Sequence, residues 1–152
     1  KTNKKIKLKI AGDGYFKDDL VKVANEKAEI KDKIEFLGWI ENKKDFFESI
    51  DIFILPSLNE PFGLVLLQAM KYAKPIITTD CDGPKEILVD KKQALFVKRD
   101  PREHLSSEIA SRVLDLINDP KLTNDIVINS LLKVQEKYSY DALTARLKEI
   151  VG

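Results

Sequence analysis

Two nearly continuous apolar runs, DIFILPS (51–57) and PIITT (75–79), constrain the fold more than any other feature of this chain. Such runs read as strands buried on both faces, the habit of parallel sheets, and proline stops the first of them. Between them GLVLLQAMKYA (63–73) reads as a helix. The same alternation precedes and follows. IKLKIAG (6–12), IEFLG (34–38) and ALFV (94–97) read as strands, FKDDLVKVANEKA (16–28) and KKDFFESI (43–50) as helices, and PKEIL (84–88) as one or two helical turns. Phe16, Leu20, Val23 and Ala24 recur at helical spacing in the first of these helices. Alternation of strand and helix means a parallel sheet with helices on both faces, here of about five or six strands with DIFILPS and PIITT central.

The remainder is helical. Asp100-Pro101-Arg102-Glu103 is a helix start in which Asp caps, Pro takes the first position and Glu falls three after the cap. Leu105, Ile109, Val113, Leu116 and Ile117 then form one apolar stripe, which Asn118-Asp119-Pro120 breaks. A second helix runs through about Lys137, and DALTARLKEIV (141–151) forms a third.

At 152 residues the chain is the size of one ordinary domain, and 43% hydrophobic residues suffice for a core. Charged residues make up 34%, yet the net charge is +1 and the lysines are spread along the chain. No basic field therefore points to nucleic acid or to a membrane surface. No apolar run approaches the roughly 18–20 residues of a membrane span, and no signal peptide is visible. The single cysteine, Cys81, excludes an internal disulfide and fits a reducing cytoplasm. The start, KTNKKIKLKIAG, reaches a strand almost at once and looks like a cut inside a larger protein.

In open parallel sheets, ligands bind where loops leave the carboxyl ends of the strands, which singles out 12–15, 38–42, 56–63 and 79–84. Gly12-Asp13-Gly14 and Gly38-Trp39 can each be tight turns without a ligand, and Asp82-Gly83-Pro84 can offer backbone amides at a short helix start. The most informative loop is 56–63. Pro56, Pro61 and Gly63 restrict its backbone, and the amides of Phe62, Gly63 and Leu64 stand unpaired at a helix N-terminus, a ready site for phosphate. Glu60 beside them has two readings: a cap for the helix, or a partner for ligand hydroxyls next to the phosphate. Gln68, the one polar residue in its helical run, is either a structural amide or a ligand contact. His104 has no second metal ligand nearby, Cys81 has no positioned base, and Asp13 and Asp82 show no metal-ligand spacing. Phe46, Phe47 and Phe53 are assigned to the core and Trp39 to a loop.

SLNEPFGLVLLQAMKYAKPIITTDCDG (57–83) resembles the signature of retaining GT-B glycosyltransferases, in the large family that includes sucrose and mannosyl transferases. That signature is roughly S-x-x-E-x-F-G-L-x-x-x-E-A-M-A-x-G-x-P-V-I-A-T. IKLKIAGDGYFKDDL is similar to the family's strand–GxG–helix segment, and IEFLGWIENKKDFFESIDIFILPS to its FLG loop, helix and buried strand. PKEILVDKKQALFV and the DPREHLSSEI helix follow in the expected order. The resemblance implies an α/β fold, a Rossmann-like parallel sheet flanked by helices, forming the C-terminal half of a GT-B enzyme. Residues 1–152 would be a single, truncated donor-binding domain, with the N-terminal acceptor domain absent. It further implies that Glu60 meets the donor sugar's hydroxyls, that the amides around Phe62, Gly63 and Leu64 meet sugar and diphosphate, that Gly12, Gly14 and Gly38 contact the donor, and that position 68 binds the ribose diol. The implied partners are a nucleoside-diphosphate sugar and a hydroxyl acceptor, glycan or lipid-linked, held by the absent domain. No cofactor, metal or nucleic acid is implied, and membrane association would come only through the missing part.

Three departures from the family pattern stand out. Gln68 replaces the second carboxylate: its amide oxygen accepts one ribose hydroxyl but lacks two charged acceptors, an expected loss of about 1 kcal/mol and up to roughly 3. The usual glycines near Lys74, Lys91 and Ala94 are missing, so those turns are expected to be less tight. The Arg and Lys that neutralise the diphosphate in the family are not matched. The expected function is donor binding in an enzyme that moves a hexose-type sugar from a nucleoside diphosphate to a hydroxyl acceptor with retention, the isolated chain being inactive. The alternative is a catalytically degenerate sugar-nucleotide-binding or interaction domain, for which Gln68 is the best support. A third reading, a flavodoxin-like or dinucleotide-binding domain, is weakened in its dinucleotide form by the lack of G-x-G-x-x-G after the first strand.

Overall fold

A computed structural model describes residues 5–151, so the opening residues of KTNKKIKLKIAG lie outside it. The elements run β1 (Leu8–Ala11), α1 (Lys17–Asn25), β2 (Ile34–Gly38), α2 (Lys43–Glu48), β3 (Phe53–Leu55), α3 (Leu64–Lys71), β4 (Ile76–Thr79), α4 (Asp82–Ile87), β5 (Leu95–Val97), α5 (Arg102–Asn118), α6 (Pro120–Tyr138) and α7 (Tyr140–Val151). Strand and helix fall where the sequence pattern puts them, with a short 3-10 turn, Lys31–Lys33, before β2. The chain divides inside α2 into two compact units, Lys1–Phe46 and Phe47–Gly152.

In the first unit β1 and β2 pair in parallel, Leu8 opposite Ile34 and Ile10 opposite Phe36. An irregularity after Ile10 sets Ala11 opposite Gly38, so both strands end level at their carboxyl ends. α1 makes the crossover between them. Of its apolar stripe only Ala24 is buried, while Leu20 and Val23 remain exposed.

In the second unit β3, β4 and β5 form a parallel set with β4 in the middle, Phe53 facing Ile76 and Ile77 facing Leu95. Every residue of β4 is buried, whereas Ile54 and Leu55 of β3 are half-buried. PIITT is thus the central strand of its set and DIFILPS an edge of it, where both were expected to be central. Proline is the reason that DIFILPS ends early: Pro56 has no amide to give the ladder, which leaves β3 three residues long. The described residues hold five strands, all paired in parallel, in hydrogen-bonded sets of two and three rather than one continuous ladder.

One cluster in the core of the second unit is Ile77, Leu95, Val97, Leu116 and Ile126, with Ile52, Ile54, Leu105, Ile109, Val113 and Leu122 packed against it. The stripe expected on α5 therefore faces the sheet. On α3, Leu66 and Met70 are wholly buried, and burying such a side chain contributes about 1.5–3 kcal/mol. Phe47 stacks on Tyr72 with ring centroids 5.2 Å apart and tilts against Phe53 at 5.4 Å. Phe47 and Phe53 are core, as expected, and Phe46 is half-buried.

The two Asp-Pro helix starts behave differently. Asp119 caps α6, its Oδ1 accepting from the Leu122 amide at 2.9 Å with Pro120 as first residue. Asp100 does not cap α5. Pro101, with ψ of 140°, is itself the cap residue, and that extended backbone keeps it out of the helix that was expected to begin with it.

The turns that lack glycine are nonetheless tight. Ala73 and Lys91 adopt left-handed backbone, φ 53° and 57°. At the end of α3 the Ala73 amide donates to the Met70 carbonyl at 3.1 Å and the Lys74 amide to the Ala69 carbonyl at 3.0 Å. That is the Schellman pattern usually built on glycine. Retaining it with a Cβ costs roughly 1–2 kcal/mol of steric strain, so the expected loosening is replaced by strain.

Candidate functional site

In the first unit, Gly12 (φ 123°) and Gly38 (φ 65°) occupy backbone that side chains disfavour. The Gly12 amide donates to the Gly38 carbonyl at 2.7 Å and ties the ends of β1 and β2 together. That amide is engaged by the fold and is not open to an anion. A Cβ on Gly14 would meet nothing within 4 Å, so crowding does not explain the glycine there. A cavity of about 270 Å³ beside this loop is lined mainly by apolar groups, among them Ile10, Tyr15, Phe16, Leu20 and Phe36. Trp39 is 73% exposed, and the Lys43 Nζ lies 5.0 Å from its ring centroid.

In the second unit, Gly63 (φ 93°, ψ 53°) turns the chain into α3, which has no side-chain cap. The amides of Gly63 and Leu64 have no acceptor among the described residues, so they keep the positive character of a helix start. The Phe62 amide differs from its neighbours: it donates to Glu60 Oε1 at 3.4 Å, a long contact within the turn. Glu60 therefore does not cap α3, and its half-buried carboxylate belongs to the same turn as the two amides without an acceptor, that of Gly63, which is buried, and that of Leu64, which is exposed. Gln68 lies one turn past Leu64 on the same side of α3. It is half-buried, and among the described residues its side chain has no hydrogen-bond partner.

The structure thus gathers Glu60, Phe62, Gly63, Leu64 and Gln68 on one loop and helix, and brings Gly12 into contact with Gly38 in the other unit. Sequence reading missed what holds the loop. Thr78 Oγ1 donates to the Leu55 carbonyl at 3.3 Å, Thr79 Oγ1 and the Cys81 thiol both donate to the Ser57 carbonyl, and Arg99 Nη1 donates to the Leu58 carbonyl at 3.3 Å. The Gly83 amide completes the series on the Glu60 carbonyl at 3.1 Å. One signal was present: two threonines close the buried run PIITT, and buried hydroxyls require partners. Among the described residues no His, Cys, Asp and Glu cluster could hold a metal ion, and no helix is long and apolar enough to cross a membrane.

The family model described as glycosyl transferases group 1 matches residues 1–131. The chain belongs to the group 1 glycosyltransferases. An uncharacterized glycosyltransferase of Methanocaldococcus jannaschii is 32% identical over 138 residues, 89% of this chain and 34% of that protein. The lipopolysaccharide core biosynthesis glycosyltransferase LpsE of Rhizobium meliloti is 29% identical over 108 residues, 71% of this chain and 32% of that one. The chain thus spans about one third of the length of these curated relatives. Among solved structures, Alr3699/HepE of Anabaena in complex with UDP matches at a TM-score of 0.81 and 20% identity, over 96% of this chain and 40% of that one. The C-terminal domain of the group 1 glycosyl transferase LpcC from Francisella tularensis matches at 0.69 and 30% identity, over 82% of this chain and 63% of that one. The fold of this group 1 chain is the Rossmann-like α/β arrangement of GT-B glycosyltransferases.

Proposed function

We propose that residues 1–152 are the C-terminal, nucleotide-sugar-binding domain of a glycosyltransferase that moves a hexose-type sugar from a nucleoside diphosphate to a hydroxyl acceptor with retention of configuration. The observation that carries this reading is the start of α3, where the amides of Gly63 and Leu64 lack an acceptor among the described residues and the Glu60 carboxylate, bound only by the long contact from the Phe62 amide, leaves the helix uncapped. In this reading those amides stabilise the diphosphate as it leaves, Glu60 orients the sugar through its hydroxyls, and Gln68 meets the ribose. Gly12, Gly14 and Gly38 remain candidate donor contacts in the first unit. UDP, bound in the Anabaena structure, is the first nucleotide to try. The acceptor, a glycan or lipid-linked hydroxyl, belongs to the further domain for which the relatives' greater length leaves room. The isolated chain then transfers no sugar, and a cytoplasmic site is where nucleotide sugars would meet it.

The test is calorimetric titration of the chain and of Glu60→Ala with UDP-glucose and UDP, alongside thermal melts. A sugar contact predicts weaker UDP-glucose binding by about fivefold, the loss of roughly 1 kcal/mol, with the melt nearly unmoved. Unchanged binding with a melt lowered by about 2–4 °C would return Glu60 to a purely structural role. Gln68 in place of a carboxylate favours a second reading, a degenerate binding domain; sugar transfer by a full-length protein carrying this chain would exclude it.

A further inference from the structure

We propose that Arg99 is a positioning residue of this site: it holds the Leu58 carbonyl and thereby sets the loop on which Glu60 stands. The inference rests on the reading of Glu60 as the sugar contact.

Arg99 lies just past β5 and is itself held firmly. Its amide donates to Asp80 Oδ1 at 3.0 Å, and the Asp80 amide donates to the Val97 carbonyl at 3.0 Å, so the chain leaving β4 and the chain leaving β5 are locked to each other. From that base Nη1 reaches the Leu58 carbonyl at 3.3 Å, across 41 residues of sequence, and Nε lies 3.9 Å from Asp100 Oδ2. The neighbouring ties on the loop are at the Ser57 carbonyl, held by Thr79 and Cys81, and at the Glu60 carbonyl, held by Gly83. Arg99 fills the gap between them. Its tie also differs in kind. Thr79 and Cys81 are buried, whereas the Arg99 side chain is 40% exposed. Water competes for a hydrogen bond in that setting, so it adds little to the stability of the fold. What it supplies is geometry: without it, Leu58 and Asn59 are free to move between the two remaining anchors, so the backbone that leads into Glu60 loses its fixed direction and the binding-competent position of the Glu60 carboxylate loses population. The Gly63 and Leu64 amides are set by α3 itself, so the diphosphate contact does not depend on Arg99.

The experiment titrates the unaltered chain, Arg99→Met, Arg99→Lys and Glu60→Ala with UDP-glucose, GDP-mannose, UDP and GDP, with a melt of each protein. Arg99→Met is expected to lower affinity for whichever nucleotide sugar the unaltered chain binds by about three- to tenfold, to change affinity for the bare nucleotide by less than about twofold, and to leave the melt within about 2 °C. Arg99→Lys, which can still donate to a carbonyl but without the guanidinium's reach, is expected to recover part of the loss. Equal losses for the sugar nucleotide and the bare nucleotide would overturn positioning and point to a direct ion pair with the diphosphate. Sugar-nucleotide binding unchanged in Arg99→Met but weakened in Glu60→Ala would overturn the inference and leave the donor site standing. Failure of the unaltered chain to bind any of the four ligands would overturn the donor-site reading and this inference with it.

Discussion

Gly83 sits so close to Glu60 that no side chain fits between them. Its amide donates to the Glu60 carbonyl at 3.1 Å, and a Cβ at position 83 would lie 2.4 Å from that oxygen and 2.6 Å from the Phe62 nitrogen. The loop that carries Glu60 and the start of α4 are therefore in backbone-to-backbone contact. Backbone atoms cannot swing aside as a side chain can. Gly83→Ala is expected to cost about 1–3 kcal/mol by overpacking, read from a denaturation curve. Gly14→Ala is the control: open space surrounds it, so its effect should stay within about 0.5 kcal/mol. Equal effects from the two substitutions would contradict the close approach.

Gln68 offers a test of the ribose contact. Its half-buried amide has no internal partner, so replacing it breaks no bond within the described residues. Gln68→Glu is expected to preserve or strengthen binding of a nucleoside diphosphate, with a gain of roughly 1 kcal/mol, about five- to tenfold, if two charged oxygens engage both ribose hydroxyls. A 2′,3′-dideoxy nucleotide should show no gain. Unchanged affinity together with a sharp fall in stability would mean that position 68 is buried structure, where a carboxylate is desolvated without a partner.

Ala73 is held in a conformation made for glycine. Because Ala73 is exposed, its methyl group brings little burial to offset the strain. Ala73→Gly should stabilise the chain by about 0.5–1 kcal/mol, the relief of left-handed strain less glycine's entropic cost. A destabilised variant in urea titration would refute the strain.

The two Asp-Pro helix starts give a paired comparison. Asp119→Ala removes a cap on the Leu122 amide and should cost about 1 kcal/mol. Asp100→Ala removes no cap and should stay within about 0.5 kcal/mol. Similar losses at both positions would show that the cap on α6 contributes nothing special.

The order of strands and helices, the apolar stripe of α5 and the glycine-led turn into α3 were legible in the chain itself. Each is written in residues a few positions apart, through side-chain periodicity and through the backbone limits of proline and glycine. Leu105, Ile109, Val113 and Leu116 face one way because a helix repeats every 3.6 residues, and that holds before any tertiary contact forms. Glu60, Gly63 and Gln68 could be singled out for the same reason, as polar or flexible exceptions inside a regular pattern.

What only the tertiary structure decided is which of these groups are already engaged. The sequence could not show that the Gly12 amide is taken by Gly38, that Glu60 leaves α3 uncapped, or that Gln68 has no partner. Nor could it show that PIITT rather than DIFILPS would be the central strand of its set. The ties that shape the loop run from Thr79 to Ser57, 22 residues away, and from Arg99 to Leu58, 41 residues away. Such bonds depend on the register in which parallel strands align, and register is set by packing over a whole sheet face rather than by any local run of residues.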